Sequence, residues 1–94
     1  MGLDQRQIDK MTECGIPDYM HGGLIRYFDS HIQPGHFLTA VLSNDLMEAF
    51  SRADLTNRDA MHGYTMWLYN YAPGRASGAW GSAKAVEEWI NGSS

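Results

Sequence analysis

Four histidines, one cysteine and eleven carboxylates are the side chains here with the types to do chemistry. A zinc site needs three or four N, S or O ligands converging tetrahedrally. His21, His31, His36 and His62 fall in none of the usual spacings: there is no H-E-x-x-H and no C-x-x-C. No metal is expected. Cys14 with a distant His and Asp would be the minimum for a thiol nucleophile. It falls at the C-terminal end of a predicted helix, where the dipole disfavours a thiolate, and reads as a packing residue. Ser77 and Ser82 lack a nucleophile elbow. The pairs Asp4 and Asp9, Asp54 and Asp59, and Glu87 and Glu88 suit helix starts and solvated faces. No phosphate loop of either common form occurs. The expectation is a protein without catalytic residues and without a cofactor.

Binding is better supported. Arginines outnumber lysines five to two. Arg26 falls on the polar side of a predicted helix beside Tyr19, and Arg75 lies five residues before Trp80 in a Gly-rich stretch. A guanidinium can hold a phosphate bidentately, and a tyrosine or tryptophan face can stack a base. Asn44, Asn70 and His36 can read polar edges. The expected ligand-binding set is Tyr19, His21, Arg26, His36, Asn44, Arg75 and Trp80. The plainer alternatives are surface ion pairing for the two arginines and a core plug for Trp80. Met66 and Tyr69 fall off the core face of their helix, and exposed aromatics and Met are enriched at interface centres. They are the expected oligomer interface of a homo-oligomer.

These residues need a scaffold. Gly15-Ile16-Pro17, Gln33-Pro34-Gly35 and Ala72-Pro73-Gly74 divide the chain into four helical parts. The first helix runs from Leu3 to about Glu13 and the second from about Asp18 to His31. Gly22-Gly23 inside the second implies a kink or a close approach. The third part, His36 to Tyr71, breaks at Asn44-Asp45 and again at Asp54, each able to cap a new helix. The spacing predicts one helix from Asp54 to Tyr71, with Trp67 bordering its apolar face. Residues 74–81 read as a loop in which Trp80 could act as a lid, and Ser82 caps a last helix ending near Ile90. Phe28, Phe37, Phe50, Tyr64 and Trp89 are core on periodicity. The predicted fold is all-α: a compact single domain, 1–94, of five to six short helices with 1–2 and 91–94 frayed.

Composition bounds the rest. The chain has 94 residues, 44% hydrophobic and 12% aromatic, enough for one core and too apolar for a disordered chain. The formal charge is −4, which disfavours non-specific nucleic-acid binding. A single cysteine excludes an internal disulfide framework. No apolar run approaches the roughly 20 residues of a membrane span. The early Asp4-Gln5-Arg6-Gln7 does not suit a secretory signal, and Arg6 stands where a myristoylation start wants Ser or Thr. A cytoplasmic location is expected.

Several stretches form a longer pattern. They are Ile16-Pro17-Asp18-Tyr19-Met20-His21-Gly22-Gly23, then Pro34-Gly35-His36-Phe37-Leu38-Thr39-Ala40-Val41-Leu42-Ser43-Asn44-Asp45-Leu46, then Ala53-Asp54 with Asn57, Trp67-Leu68-Tyr69-Asn70 and Trp80-Gly81-Ser82. This pattern, from about Ile16 to Ile90, resembles a widespread class of short phage proteins. The resemblance assigns no role to any single position. It implies a place in an infected bacterial host, where small phage proteins are often inhibitors of defence. Size, the lack of a catalytic motif and the rings with arginines suggest one kind, a sponge that sequesters a small nucleotide-derived signal uncleaved. The alternative is a protein–protein inhibitor of a host defence or regulatory complex.

Overall fold

The computed structural model describes residues 3–73 and 78–92. The described residues form seven helices and no strand: α1 (Gln5–Glu13), α2 (Asp18–Ser30), α3 (His36–Leu42), α4 (Leu46–Arg52), α5 (Leu55–Asp59), α6 (Met61–Asn70) and α7 (Ala83–Ile90). The fold is all-α, as the spacing predicts.

Local chemistry explains most boundaries. Asp4 accepts the Gln7 N–H at 2.8 Å, while the Gln7 side chain accepts the Asp4 N–H, a reciprocal box that starts α1. Asp45, Asp54 and Ser82 each accept an N–H three residues on and open α4, α5 and α7. His31 ends α2 in the left-handed conformation at φ 59°.

One boundary differs from expectation. The helix predicted from Asp54 to Tyr71 is broken at Ala60 into α5 and α6. No proline or glycine marks the break. Asn57 is buried, and its side chain accepts from the Tyr64 hydroxyl at 2.6 Å across the break. The Ala60 N–H is shared between the Thr56 and Asn57 carbonyls.

The core is aromatic. Trp67, Tyr27, Tyr64 and Phe28 are its largest fully buried side chains. Tyr27 meets Phe28, Phe28 meets Trp67, and Phe37 meets Tyr64, all edge to face with centroids 5.2–5.8 Å apart. Trp67 lies at the centre, not at the border. Its indole N–H donates to the Gln7 carbonyl and ties α6 to α1. Trp89 donates to the Tyr27 carbonyl, and the His31 ring stacks on Trp89 at 4.0 Å. The His31 Nδ1 lies 2.5 Å from the Trp89 carbonyl; a carbonyl only accepts, so this nitrogen carries the proton. These contacts dock α7.

Gly22 and Gly23 lie inside an uninterrupted α2. α3 comes close at Gly23: a Cβ there would lie 2.9 Å from Leu38 Cδ1, so that methyl group would have to shift.

Candidate functional site

α4 is only seven residues long. It packs on α3, buries Ala49, and is not packed closely against α6. Between α4 and α6 the described residues leave an open cleft of about 470 Å³, within the range of small-molecule sites. Ala40 and Val41 of α3, Leu46 and Ala49 of α4, and Met61, Tyr64 and Leu68 of α6 supply its apolar lining. Thr65, Met66 and Tyr69 continue along α6, and Asn44, Asp45, Trp80 and Gly81 complete the lining.

This geometry corrects one core assignment. Phe50 is exposed, as are Leu46 and Met47 beside it. Periodicity marks an apolar side of α4, but of that side only Ala49 is buried; Leu46 and Ala49 line the open cleft and Phe50 faces solvent.

Asn44 and Trp80 reach the cleft from separate elements. Asn44 follows α3 in the left-handed conformation at φ 62°, which Asn tolerates better than most residues. Its side chain lines the cleft with no hydrogen bond inside the described protein. Trp80 is half-buried, and its indole N–H donates to the Pro73 carbonyl at 2.6 Å. Two neighbours pin its backbone. The Ala79 carbonyl accepts from the buried Tyr27 hydroxyl at 2.5 Å, and the Gly81 N–H donates to the Leu42 carbonyl at 2.8 Å. These contacts tie the backbone on both sides of Trp80 to the core, and its ring forms a wall of the cleft. Met66 and Tyr69, the expected interface residues, line the same cleft from α6.

The other expected ligand residues lie elsewhere. Tyr19 is exposed on α2 and donates to Asp54 at 2.6 Å. The Asp54 carboxyl is held below the ordinary aspartate range, first by that hydroxyl and then by the Asn57 N–H. The Tyr19 phenol is correspondingly pushed up. His21 Nε2 donates to the Ile16 carbonyl at 2.8 Å and staples the turn before α2. Arg26 is exposed, and its guanidinium lies back along α2 near Gly22. His36 opens α3, at the opposite end from Asn44. Arg75 lies outside the described residues. Leu46, Ala49 and Thr65 are cleft residues that the sequence did not single out; the first two are legible only as an apolar stripe.

No lysine or arginine is among the described lining residues, and Asp45 is their single charged side chain. Among the described residues no three of His, Cys, Asp and Glu come together to hold a metal ion. Burial and the neighbouring Glu13 push the Cys14 thiol up, so it is a weak nucleophile. No helix of the described residues is long and apolar enough to cross a membrane. No protein-family model matches the chain, and neither does any curated protein or solved structure.

Proposed function

We propose that this chain is a non-catalytic binding protein that holds the flat ring of a small ligand in the cleft between α4 and α6. The observation that carries this reading is the meeting of Trp80, Tyr69 and Asn44, whose amide makes no hydrogen bond among the described residues, on one apolar surface. Stacking on such rings is sequence-tolerant and worth about 1–3 kcal/mol per base. An amide supplies both a donor and an acceptor for a ring edge. With the phage resemblance, the reading becomes an anti-defence sponge for a nucleotide-derived signal, acting in the cytoplasm of an infected bacterial host. The base is then the part held in the cleft, because no cation among the described lining residues meets a phosphate. Homo-oligomerisation through Met66 and Tyr69 belongs to the same proposal.

The test is a thermal-shift series with nucleosides, cyclic dinucleotides and ADP-ribose derivatives. A ligand at 100 times its Kd stabilises by about 2.7 kcal/mol. Heat release then recovers the ligand for mass analysis. An intact ligand supports sequestration; a cleaved one makes the chain an enzyme; no shift across the series overturns the reading.

A second reading, an inhibitor of a host protein complex, is favoured by Met47 and Phe50, exposed on α4 next to the cleft. It requires a stoichiometric protein partner that is lost on Met47→Glu substitution, together with no nucleotide shift.

A further inference from the structure

We infer that a second copy of this chain closes the cleft through an isologous two-fold contact, so that the ligand seat lies between subunits. This deepens the binding reading above and rests on it for the ligand alone.

The argument begins with charge. In an isologous contact a surface meets itself, so any net charge on it is doubled and repels. The chain carries −4, and self-association therefore needs a face from which that charge is missing. α3 and α6 contain no Asp, Glu, Lys or Arg at all. On α4 the Glu48 carboxylate and the Arg52 guanidinium pair at 2.6 Å and cancel. Asp45, the one charged side chain among the described lining residues, is engaged as the cap of α4. The other acids of this acidic chain are absent from that lining. Such a face gives a foreign protein little electrostatic handle, but it suits a copy of itself.

Shape and exposure agree. Eight large hydrophobic side chains are exposed among the described residues, and five of them, Leu46, Met47, Phe50, Met66 and Tyr69, lie on the two helices that flank the cleft. Tyr69 is 78% exposed and Leu46 60%. A small ligand seated in the cleft leaves their outer surfaces in water. A second copy covers them, with Tyr69 of each subunit lying over the open side of the other's cleft and the seat left free beneath it. Charge depletion with Tyr and Met enrichment is the composition of an interface centre. The open side of the cleft is then walled, which one subunit of this size does not achieve alone.

The test uses the full chain without ligand. Native mass spectrometry and sedimentation should show a dimer. Tyr69→Glu should give a monomer that keeps its helical circular-dichroism spectrum, because the side chain is outside the core, and that melts below the dimer and without concentration dependence, because the contact no longer stabilises the folded state. A photo-reactive benzoylphenylalanine placed at position 69 should cross-link between subunits to the peptide spanning 40–49. A monomeric wild type overturns the inference. So does a dimer that survives Tyr69→Glu, or one whose cross-links map to α1 or α7. A dimer of the expected kind that shifts with no nucleoside or nucleotide leaves the contact standing and defeats the ligand reading alone.

Discussion

The Cys14 carbonyl oxygen occupies the space into which any side chain on Gly63 would have to grow. α6 passes so close to the end of α1 that only a hydrogen fits between them. Gly63→Ala pushes a methyl group into backbone, which has no rotamer to yield. The expected loss is about 1–3 kcal/mol or more, and a urea melt of the purified variant checks it. An unchanged midpoint would show that α1 shifts freely relative to α6.

Burial of the Tyr27 and Tyr64 phenols makes the fold sensitive to alkali. Burial pushes both phenols well above the ordinary tyrosine value near 10. In the unfolded chain they ionise near 10, while in the folded chain they stay neutral. The folded state therefore binds more protons there, and stability falls as pH rises above about 10. Below that pH the contribution is fully present. Tyr27→Phe should flatten part of this alkaline decline. At neutral pH it should cost about 1–3 kcal/mol, because the buried Ala79 carbonyl loses its donor. Thermal melts from neutral to alkaline pH, wild type against variant, read both effects.

The exposed pair Tyr19 and Asp54 acts at the opposite end of the pH scale. The Tyr19 hydroxyl is the largest cause of the low Asp54 pKa, ahead of the capping N–H of Asn57. Tyr19→Phe should move the Asp54 carboxyl back up toward the ordinary aspartate range, seen as a displaced titration of its side-chain carbon by NMR. Because the folded value is depressed, the stability it contributes is present above the ordinary range and lost as pH falls through the folded value. Acid unfolding of the variant should begin at higher pH. An unmoved titration would assign the shift to the backbone cap alone.

Much of the scaffold is legible along the chain because its signals are local. Asp45, Asp54 and Ser82 cap through their own side chains to N–H groups three residues on, and Gly15-Ile16-Pro17 separates α1 from α2. Features set by a neighbouring helix are not legible. The break at Ala60 is spanned by the contact of a buried Asn57, Trp67 is central because α1 and α2 cover it, and Gly63 answers to the Cys14 carbonyl. Phe50 misleads because periodicity reports an apolar side without reporting what faces it. The site divides in the same way. Asn44, Trp80, Met66 and Tyr69 come together, while Tyr19, His21 and Arg26 belong to α2, whose polar side does not reach the cleft.

Asn44 permits a separation of stability from binding. Its backbone is left-handed at φ 62°, a conformation glycine adopts without steric cost. Its amide makes no hydrogen bond within the described protein. Asn44→Gly therefore removes the ring-reading group and relaxes the backbone in one step. The relief of the left-handed backbone is offset by the greater freedom of glycine in the unfolded chain, so the melting temperature should change little. Ligand binding should weaken by the worth of one neutral hydrogen bond, about 0.5–1.5 kcal/mol, or roughly two- to tenfold in Kd. Titration calorimetry with whichever nucleoside or nucleotide shifts the wild type makes the comparison. Equal affinity in both proteins would remove Asn44 from the site and leave Trp80 and Tyr69 as an apolar clamp without edge recognition.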